Sequence, residues 1–371
     1  MVIVYVVGAR PNVIKMAPVM AEFKRRLPTD RHVLVHSGQH YDRMMSDVFL
    51  EELELPAPDH QLGVGSASHA VQTARVMERL EPVLDQEAPD LVIVPGDVNS
   101  TLAATLVTVK LGIPVAHVES GLRSFDRGMP EEVNRIITDQ FSDLLFIHSE
   151  EAIENLRHEG VPDDRMHFVG NTMIDALMAA EQHFRLKAAA ERFGLEPGSF
   201  LLVTLHRPAL VDGPLLDVAI TELERVSHQL PVLFPVHPRT RKMLGTRRIA
   251  PTLNLVDPVG YMDFLSLEAD AAAVLTDSGG VQEETTWLGV RCFTLRDVTE
   301  RPVTVRLGTN TVLGLAPERI AEIPERLAAG GGPQRELPPL WDGQAARRIA
   351  DVITSVYTKR SSESIAATSE R

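Results

Sequence analysis

The chain of 371 residues has one cysteine, few aromatic residues and no long hydrophobic run. Cys292 alone cannot form an intramolecular disulfide or a cysteine-based zinc cluster, which fits a protein of a reducing compartment. No segment approaches the roughly 20 consecutive apolar residues that a membrane-spanning helix requires. Residues 1–8 lead directly into Arg10 and Pro11, without the basic start and the cleavage site of a secretion signal. We therefore expect a cytoplasmic protein without a membrane anchor.

Basic residues are outnumbered by acidic ones: the chain has 37 Lys and Arg residues and 51 Asp and Glu residues, which gives a formal net charge of -14. Nucleic-acid binding needs a basic surface, so we expect no nucleic-acid partner. The glycine pattern of dinucleotide-binding folds and the Walker-type phosphate loop are both missing, which leaves little support for NAD or ATP. The segment from His117 to Glu119 resembles part of a zinc deaminase site, but that site also requires cysteines. We expect no metal and no other cofactor.

The pattern of apolar segments predicts the fold class. Hydrophobic residues make up 44% of the chain, and its length exceeds what one typical core requires. Short apolar runs alternate with helix-length segments, which is typical of α/β proteins with parallel sheets. We predict two doubly wound, Rossmann-like domains that face one cleft, over 1–170 and 171–340. A helix over 341–357 is expected to return to the first domain, and residues 358–371 are expected to be disordered.

Acidic residues follow two of the apolar runs in the first domain. Asp97 and Glu119 would both lie at carboxyl ends of neighbouring parallel strands, the edge at which such sheets bind ligands. Glu131 and Arg135 are four residues apart on a predicted helix, so their side chains share one face. We infer a cluster of candidate site residues. Solvated helix ends and ordinary ion pairs remain the alternative for each residue taken alone.

Two cations lie near the amino end of the first predicted helix. Arg10 and Lys15 follow the tight turn that Gly8 permits after the first strand. The amino end of a helix carries a partial positive charge and free N–H groups, so cations placed there indicate a site for an anion. Ordinary surface charges are the alternative.

A glycine pair marks the corresponding turn of the second domain. Ser278 can cap the helix that follows, and Gly279 and Gly280 let backbone amides approach a phosphate at its positive end. Glu284, one turn further on, can accept hydrogen bonds from two adjacent hydroxyl groups such as those of a ribose. A simple tight turn is the alternative explanation of this segment.

Three further polar residues of the second domain follow predicted strands. His206 and His237 each end a strand, and Arg301 belongs to a dense polar loop after another strand, for which a surface salt-bridge network is the alternative. The glycine turn and the cations together indicate a nucleotide diphosphate as ligand. Several carboxylates in one site indicate removal and return of a proton at carbon, as in elimination or epimerisation.

Seven short motifs, in order and with compatible spacing, resemble the non-hydrolysing UDP-N-acetylglucosamine 2-epimerases. They cover Gly8 to Lys15, Ser37 to His40, Pro95 to Asp97, His117 to Arg123, Pro130 to Arg135, Asp277 to Glu284 and Thr299 to Pro302. The resemblance implies a fold like that of the GT-B glycosyltransferases, a homodimer, and reversible conversion of UDP-N-acetylglucosamine to UDP-N-acetylmannosamine. In that family UDP is eliminated to give a 2-acetamidoglucal intermediate and is then added back, without an external cofactor.

The resemblance also implies a role for each candidate residue. Those implied to act in catalysis are Asp97, Glu119, Glu131 and His206, the histidine beside the leaving diphosphate. Those implied to bind the UDP-sugar substrate are Arg10, Lys15, Arg135, His237, Ser278, Gly279, Gly280, Glu284 and Arg301.

The chain departs from the family pattern directly after Arg207. Many members continue with Arg-Glu-Asn, whereas this sequence continues with Pro208, Ala209 and Leu210. The change removes one charge and two hydrogen-bonding side chains, and the proline fixes the backbone, so substrate range or activity can differ here. The alternatives to a reversible epimerase are a hydrolysing 2-epimerase that releases UDP and N-acetylmannosamine, a glycosyltransferase, and a protein that binds a sugar nucleotide without turnover.

Overall fold

The computed structural model describes residues 1–38, 52, 53, 55–330 and 336–369, with side chains through residue 358. His40, part of one of the seven motifs, therefore lies outside the described residues. The chain divides into two compact units: Met1–Ala176 with Pro339–Arg371, and Leu177–Pro338. The division falls inside a helix that starts at residue 172, whereas the sequence analysis placed the boundary just before that helix.

The first unit contains a sheet of seven parallel strands in the order β3-β2-β1-β4-β5-β6-β7. The strands are β1 Val2–Val7, β2 Arg31–His36, β3 His60–Gln61, β4 Leu91–Pro95, β5 Val115–Ser120, β6 Leu144–Ile147 and β7 Met166–Phe168. Every residue of β4, β5 and β6 is buried. Parallel strands covered by helices on both faces must be apolar throughout, which explains why these segments read as nearly continuous hydrophobic runs.

The second unit contains a sheet of six parallel strands in the order β10-β9-β8-β11-β12-β13. The strands are β8 Leu201–Thr204, β9 Val232–Pro235, β10 Leu253–Val256, β11 Ala273–Thr276, β12 Arg291–Thr294 and β13 Asn310–Val312. Leu201 and Val203 belong to one hydrophobic cluster and Leu202 to another. Since alternate residues of a strand point to opposite faces, this sheet has a core on each side.

Helices connect the strands in both units. In the first unit they are Arg10–Arg26, His69–Glu87, Asn99–Lys110, Pro130–Phe141, Glu150–His158, Thr172–Arg185, which continues into the second unit, and Ala345–Ser369. In the second unit they are Pro208–Val211, Leu215–Val226, Pro238–Leu244, Tyr261–Asp270, Gly279–Leu288, Pro302–Arg306 and Ile323–Ala328. Among the helices in the described ranges, none is both long enough and apolar enough to cross a membrane.

The C-terminal helix and the residues just before it are held in the first unit by specific hydrogen bonds. The indole N–H of Trp341 donates to the backbone oxygen of His148 at 2.9 Å, and the carboxylate of Asp175 accepts from the backbone N–H of Ala346 at 2.7 Å. The helix continues to Ser369, beyond residue 357, where the sequence analysis ended it and expected disorder. Its final turns contain no Gly or Pro, so the local sequence is compatible with helix.

The order of strands reverses direction once in each sheet, so that β1 pairs with β4 and β8 pairs with β11. Connections that leave such a pair run to opposite faces of the sheet, which opens a crevice at the carboxyl ends of the strands. The prediction of two doubly wound parallel α/β domains is confirmed. The strands β3 and β13 have only two and three residues, so no apolar run in the sequence predicts them.

Candidate functional site

Glu119 occupies an irregular position at the carboxyl end of β5. Its φ angle is 72°, and the pairing of β5 with β6 shifts register between Val118 and Ser120. A residue with a Cβ atom is strained in this left-handed conformation, and such strain persists only where the surrounding structure enforces it. The side chain is buried and forms an ion pair with Lys15. Two residues predicted from the sequence as separate candidates therefore lie in direct contact.

Gly96 follows β4 directly and allows the ion pair of Lys15 and Glu119 to lie close to the backbone at that point. A Cβ atom added at Gly96 would lie 3.2 Å from Nζ of Lys15 and 3.3 Å from Oε2 of Glu119. The φ angle of Gly96 is 65°, a conformation that glycine adopts without strain. The turn after β4 thus lies against the pair, and Asp97 is the residue that follows Gly96. Arg10, by contrast, is the exposed first residue of the helix that carries Lys15.

Asp97 contacts the helix Pro130–Phe141. Its Oδ2 atom lies 2.7 Å from Nη1 of Arg135, and its backbone oxygen accepts a hydrogen bond of 2.8 Å from the side-chain amide of Asn134. The guanidinium of Arg135 is buried, whereas 28% of the Asp97 side chain is exposed. The structure therefore brings Asp97 and Arg135 together at the edge where the sequence analysis expected them, with the carboxylate open to solvent.

The two consecutive glutamates at the start of this helix have different surroundings. Glu131 is half-buried, and no hydrogen bond or ion pair joins its carboxylate to the described part of the chain. Glu132 is buried and contacts Arg135, with Oε2 2.9 Å from Nη2. The sequence analysis named Glu131, because a spacing of four residues places it on the same helix face as Arg135. In the structure, the glutamate that pairs with Arg135 is Glu132, at a spacing of three residues.

His117 on β5 and Asp139 on the helix Pro130–Phe141 form a second buried network. Nδ1 of His117 lies 2.7 Å from Oδ1 of Asp139, and Nε2 lies 2.8 Å from the backbone oxygen of Gly96. Arg123 also belongs to this network, because its Nη2 atom lies 2.8 Å from Oδ2 of Asp139. Burial would raise the pKa of Asp139, but the hydrogen bonds and charges of His117 and Arg123 outweigh it and lower that pKa. Arg123 thus contacts Asp139 and Glu159, not the cluster around Asp97.

In the second unit, Asp277 anchors the turn after β8. Its Oδ2 atom accepts hydrogen bonds from the backbone N–H groups of His206 and Arg207, at 2.8 and 2.7 Å. Nδ1 of His206 lies 3.2 Å from the other carboxylate oxygen. The ring centres of His206 and His237 are 5.5 Å apart, and His237 also caps the helix Pro238–Leu244. The two histidines predicted from the sequence therefore lie together at the carboxyl ends of their strands.

The helix Gly279–Leu288 begins directly after β11, as predicted. Ser278 stands at the N-cap position, but the structure gives it no side-chain capping bond within the helix, so that part of the prediction is wrong. Instead, the hydroxyl of Thr276 accepts a hydrogen bond from the backbone N–H of Ser278 at 2.9 Å. A Cβ atom added at Gly279 would lie only 2.4 Å from Nη1 of Arg301. The glycine therefore allows a guanidinium to lie against the first turn of the helix.

Two arginines and two glutamates fix the loop that carries Arg301. Nε of Arg301 donates a hydrogen bond of 2.8 Å to the carboxylate of Glu283. The two terminal nitrogens of Arg296, Nη1 and Nη2, each donate to one carboxylate oxygen of Glu300, and the longer of these two bonds is 2.7 Å. Burial would raise the pKa of Glu300. The hydrogen bonds and charge of Arg296, with the charges of Arg301 and Arg207, outweigh burial and hold that pKa well below its usual range. The loop is thus a charged network in a buried setting, not a solvated surface network.

Glu284 is buried, and its carboxylate accepts a hydrogen bond of 3.0 Å from the hydroxyl of Tyr261. Burial raises its pKa to about 7, partly opposed by the hydrogen bond from Tyr261 and reinforced by the negative charge of Glu283. Glu268 is fully buried nearby, and burial together with the charge of Glu284 raises its pKa well above the usual value. Sequence reasoning missed Tyr261, Glu268 and Glu283, since no local pattern distinguishes them from ordinary helix residues.

Each unit is thus a doubly wound parallel α/β domain that concentrates charged and hydrogen-bonding residues at the switch point of its sheet. This is the class of two-domain Rossmann-like proteins that bind ligands at the carboxyl ends of their strands. The chain belongs to the UDP-N-acetylglucosamine 2-epimerase family, whose family model matches residues 25–354. The family resemblance inferred from the seven motifs is therefore confirmed.

Similar proteins match almost the whole chain. The UDP-N-acetylglucosamine 2-epimerase of Methanococcus maripaludis is 40% identical over 361 residues, which is 94% of this chain and 97% of that protein. The UDP-2,3-diacetamido-2,3-dideoxy-D-glucuronate 2-epimerase of Pseudomonas aeruginosa is 39% identical over 361 residues, 96% of this chain and all of that protein. The crystal structure of UDP-GlcNAc 2-epimerase from Methanocaldococcus jannaschii, in complex with UDP-GlcNAc and UDP, superposes with a TM-score of 0.87 at 37% identity, covering 96% and 100% of the two chains.

Proposed function

We propose that this protein is a non-hydrolysing UDP-N-acetylglucosamine 2-epimerase that interconverts UDP-N-acetylglucosamine and UDP-N-acetylmannosamine. The observation that carries this proposal is the buried ion pair of Glu119 and Lys15 at the strained end of β5. Backbone strain and a buried charge both cost stability, so their presence in a member of this family favours a catalytic role over a structural one. Asp97 and Glu131 lie on elements that border the same strand end.

The reaction needs no external redox partner. A carboxylate removes the proton at C2 of the sugar, and the electrons of the C2–H bond form a C1–C2 double bond as the C1–O bond breaks. The electron pair of the C1–O bond leaves with UDP, and 2-acetamidoglucal remains. In the reverse step an oxygen of UDP attacks C1, and a proton returns to C2 from the opposite face. The overall change is inversion at C2, and no cofactor is consumed.

The first unit would supply the acid/base groups in this reaction. Asp97, Glu119 and Glu131 have three different surroundings: Asp97 contacts a guanidinium that it shares with Glu132, Glu119 contacts an ammonium, and Glu131 has no ion-pair partner among the described side chains. Several carboxylates in one site allow one group to remove a proton and another to return it, which the reaction requires. Lys15, Arg135 and Arg10 would stabilise the negative charge of the substrate and of the separated UDP.

The second unit would bind the nucleotide. The first turn of the helix that begins at Gly279, with Ser278 before it and Gly280 after it, would receive the diphosphate together with Arg301. Glu284 would accept hydrogen bonds from the ribose hydroxyls, for which its ionised form is the competent one. His206 and His237 would lie beside the leaving phosphate. By resemblance to the family, we also propose that the protein is a homodimer, which light scattering coupled to gel filtration would test.

A second candidate substrate is favoured by a specific relative. The Pseudomonas aeruginosa protein that acts on UDP-2,3-diacetamido-2,3-dideoxy-D-glucuronate is 39% identical, one percentage point below the first relative. The loop after Arg207 differs from the motif of many epimerases, and Pro208 starts a short helix with Leu210 buried in the core. A polar side chain at position 210 is thus replaced by a packing residue. Both UDP-sugars therefore belong in the first assay.

The test is incubation of the purified protein with each UDP-sugar in deuterated water, without added metal or NAD, followed by proton NMR. We expect the 2-epimer with deuterium at C2, and loss of both changes in a Glu119→Gln variant. Release of free UDP with N-acetylmannosamine would instead identify a hydrolysing 2-epimerase. Binding of UDP-sugar without isotope exchange or turnover would contradict the proposal and leave a sugar-nucleotide-binding protein.

A further inference from the structure

The carboxylate of Glu132 joins two segments that surround the candidate acid/base residues of the first unit. One oxygen accepts a hydrogen bond from the backbone N–H of Phe125 at 2.8 Å, and the other accepts from Ser124 at 2.9 Å. The second oxygen also contacts Arg135, at 3.0 Å from Nε and 2.9 Å from Nη2. Glu132 therefore makes four contacts while only 1% of the residue is exposed.

The segment that Glu132 holds carries backbone strain. Phe125 has a φ angle of 60°, although it is not a glycine, and 78% of the residue is exposed. An exposed side chain gains little from packing, so the hydrogen bond from the backbone N–H of Phe125 to Glu132 helps to hold this backbone in place. The segment lies between Glu119 and Glu131 in the sequence. Its conformation consequently sets the path of the chain from one candidate acid/base residue to the other.

We propose that Glu132 is a positioning residue, which fixes the loop after β5 and directs the guanidinium of Arg135 to Asp97. This inference rests on the proposed function, in which Asp97 belongs to the acid/base group. Arg135 contacts Glu132 through Nε and Nη2 and contacts Asp97 through Nη1 at 2.7 Å. A planar guanidinium held along one edge can present its remaining nitrogen in only one direction.

The charge of Glu132 matters as well as its shape. One cationic group is shared between two carboxylates, so each receives only part of its electrostatic stabilisation. If Glu132 were neutral, the whole charge of Arg135 would act on Asp97 and favour its ionised form. A glutamine would also present an amide N–H₂ group to one of the two backbone N–H groups, and that hydrogen bond would be lost.

The decisive variant is Glu132→Gln, assayed by C2 isotope exchange and by conversion of the UDP-sugar. We expect kcat to fall about 10- to 100-fold with little change in KM, since misplaced supporting groups cost rates of that order. We also expect the acidic limb of the kcat profile to move to lower pH, because the charge of Arg135 would no longer be shared with a second carboxylate. A role in folding alone would lower stability without moving this limb.

Two further variants separate charge from shape and from stability. Glu132→Asp keeps the charge but shortens the side chain, so it should restore the acidic limb to the wild-type pH while kcat stays reduced. Glu87→Gln is the matched control, because Glu87 is also buried in the first unit and pairs with Arg31 at 2.6 Å and His60 at 2.9 Å. We expect Glu87→Gln to lower the melting temperature and to leave the pH profile of kcat unchanged.

A double variant tests the route of the effect. If Glu132 acts through Arg135, combining Glu132→Gln with Arg135→Lys should lower kcat by much less than the product of the two single effects. Fully multiplicative effects would overturn the proposal.

The outcomes distinguish this inference from the proposed function. Wild-type epimerisation combined with an unchanged kcat and pH profile in Glu132→Gln would overturn the inference alone. If that variant fails to fold, Glu132→Asp decides, because wild-type kcat in it would equally overturn the role. If the wild-type protein exchanges no C2 proton of either UDP-sugar, both the proposed function and the inference are contradicted.

Discussion

The ammonium group of Lys15 and the carboxylate of Glu119 form an ion pair that is almost completely buried, although the residues are 104 positions apart in the chain. Burial removes both charges from water, and their mutual attraction offsets that cost only while both partners are present. The pair therefore makes stability and the proposed chemistry depend on the same two side chains.

Replacing Lys15 by methionine should destabilise the protein, because it leaves the carboxylate of Glu119 buried without its cation. We expect the free energy of unfolding to fall by about 3 kcal/mol, measured by urea denaturation at pH 7. The double variant Lys15→Met with Glu119→Gln should recover part of this loss, since it buries no charge. A Lys15→Met variant as stable as the wild type would show that the pair is not energetically coupled.

Gly279→Ala tests whether Arg301 must lie against the first turn of its helix. The new methyl group would occupy space 2.4 Å from the present position of Nη1, so the guanidinium must move. The higher helix propensity of alanine offsets part of the cost of disturbing the hydrogen bond from Arg301 to Glu283. We expect the dissociation constant for UDP to rise about tenfold, equivalent to one charged hydrogen bond.

Gly213→Ala is the control for this prediction, because no atom lies within 4 Å of a Cβ added there. It should bind UDP as the wild type does. Calorimetry that finds equal affinities for Gly279→Ala and the wild type would contradict a role of Arg301 in phosphate binding.

The affinity for UDP should rise between pH 6 and pH 8. Burial raises the pKa of Glu284 to about 7, so its ionised fraction grows from about a tenth to about nine tenths across this interval. If only the ionised form accepts the ribose hydroxyls, the apparent dissociation constant should fall about tenfold. Tyr261→Phe removes a hydrogen bond that lowers this pKa and should move the midpoint to higher pH.

Titration of Glu284→Gln in the same way provides the baseline, because it retains the ionisation of the nucleotide phosphate but not that of the carboxyl group. We expect weaker binding with a shallower pH dependence. Identical pH profiles for Glu284→Gln and the wild type would exclude the carboxyl group of Glu284 as the source of the pH dependence of UDP binding.

Glu268→Leu should stabilise the protein, and the gain should grow with pH. Glu268 is fully buried, and neither of its carboxylate oxygens has a hydrogen-bond partner in the described structure. Burial and the charge of Glu284 raise its pKa well above the usual value. The folded state thus retains a proton that the unfolded state releases, so this group makes stability fall as pH rises from the unfolded pKa towards the folded one.

Leucine removes that penalty. We expect Glu268→Leu to gain about 1 to 4 kcal/mol at pH 8 and less at pH 5, from urea denaturation at both values. The control is Glu222→Leu, which removes a buried glutamate that contacts Arg225 at 2.7 Å and should show no gain that grows with pH. A Glu268→Leu variant less stable than the wild type at pH 8 would show that Glu268 has a stabilising partner.

Local patterns predicted some elements better than others. The bounds of the strands Val2–Val7, Arg31–His36 and Leu253–Val256 are predictable from the sequence, because each strand contains several Val, Ile or Leu residues and is followed directly by glycine or a polar residue. In the helix His69–Glu87, however, helical spacing places Ala70 and Ala74 on the face of Leu80 and Leu84 and so predicts that both are buried, yet both are exposed. Alanine fits either face of a helix, so its position along the sequence does not reveal which face is buried.

The candidate residues illustrate the same limit in the site. Glu131 and Glu132 are adjacent glutamates on one helix turn, and only the fold distinguishes the buried partner of Arg135 from the half-buried acid. Likewise, Ser278 occupies the N-cap position that the sequence predicted, yet its side chain makes no capping bond in the described helix. Capping and pairing depend on side-chain directions that the spacing of residues does not specify.

Apolar periodicity and ordered motifs are properties of the linear chain, so the amino-acid sequence alone predicts the two doubly wound sheets, the family and the positions of the charged motifs. Which charges meet depends on the folded structure. Lys15 contacts Glu119, Arg135 is shared by Asp97 and Glu132, and Arg123 contacts Asp139. The reason is that such pairs join distant segments whose separation is fixed only when the strands take their places in the sheet.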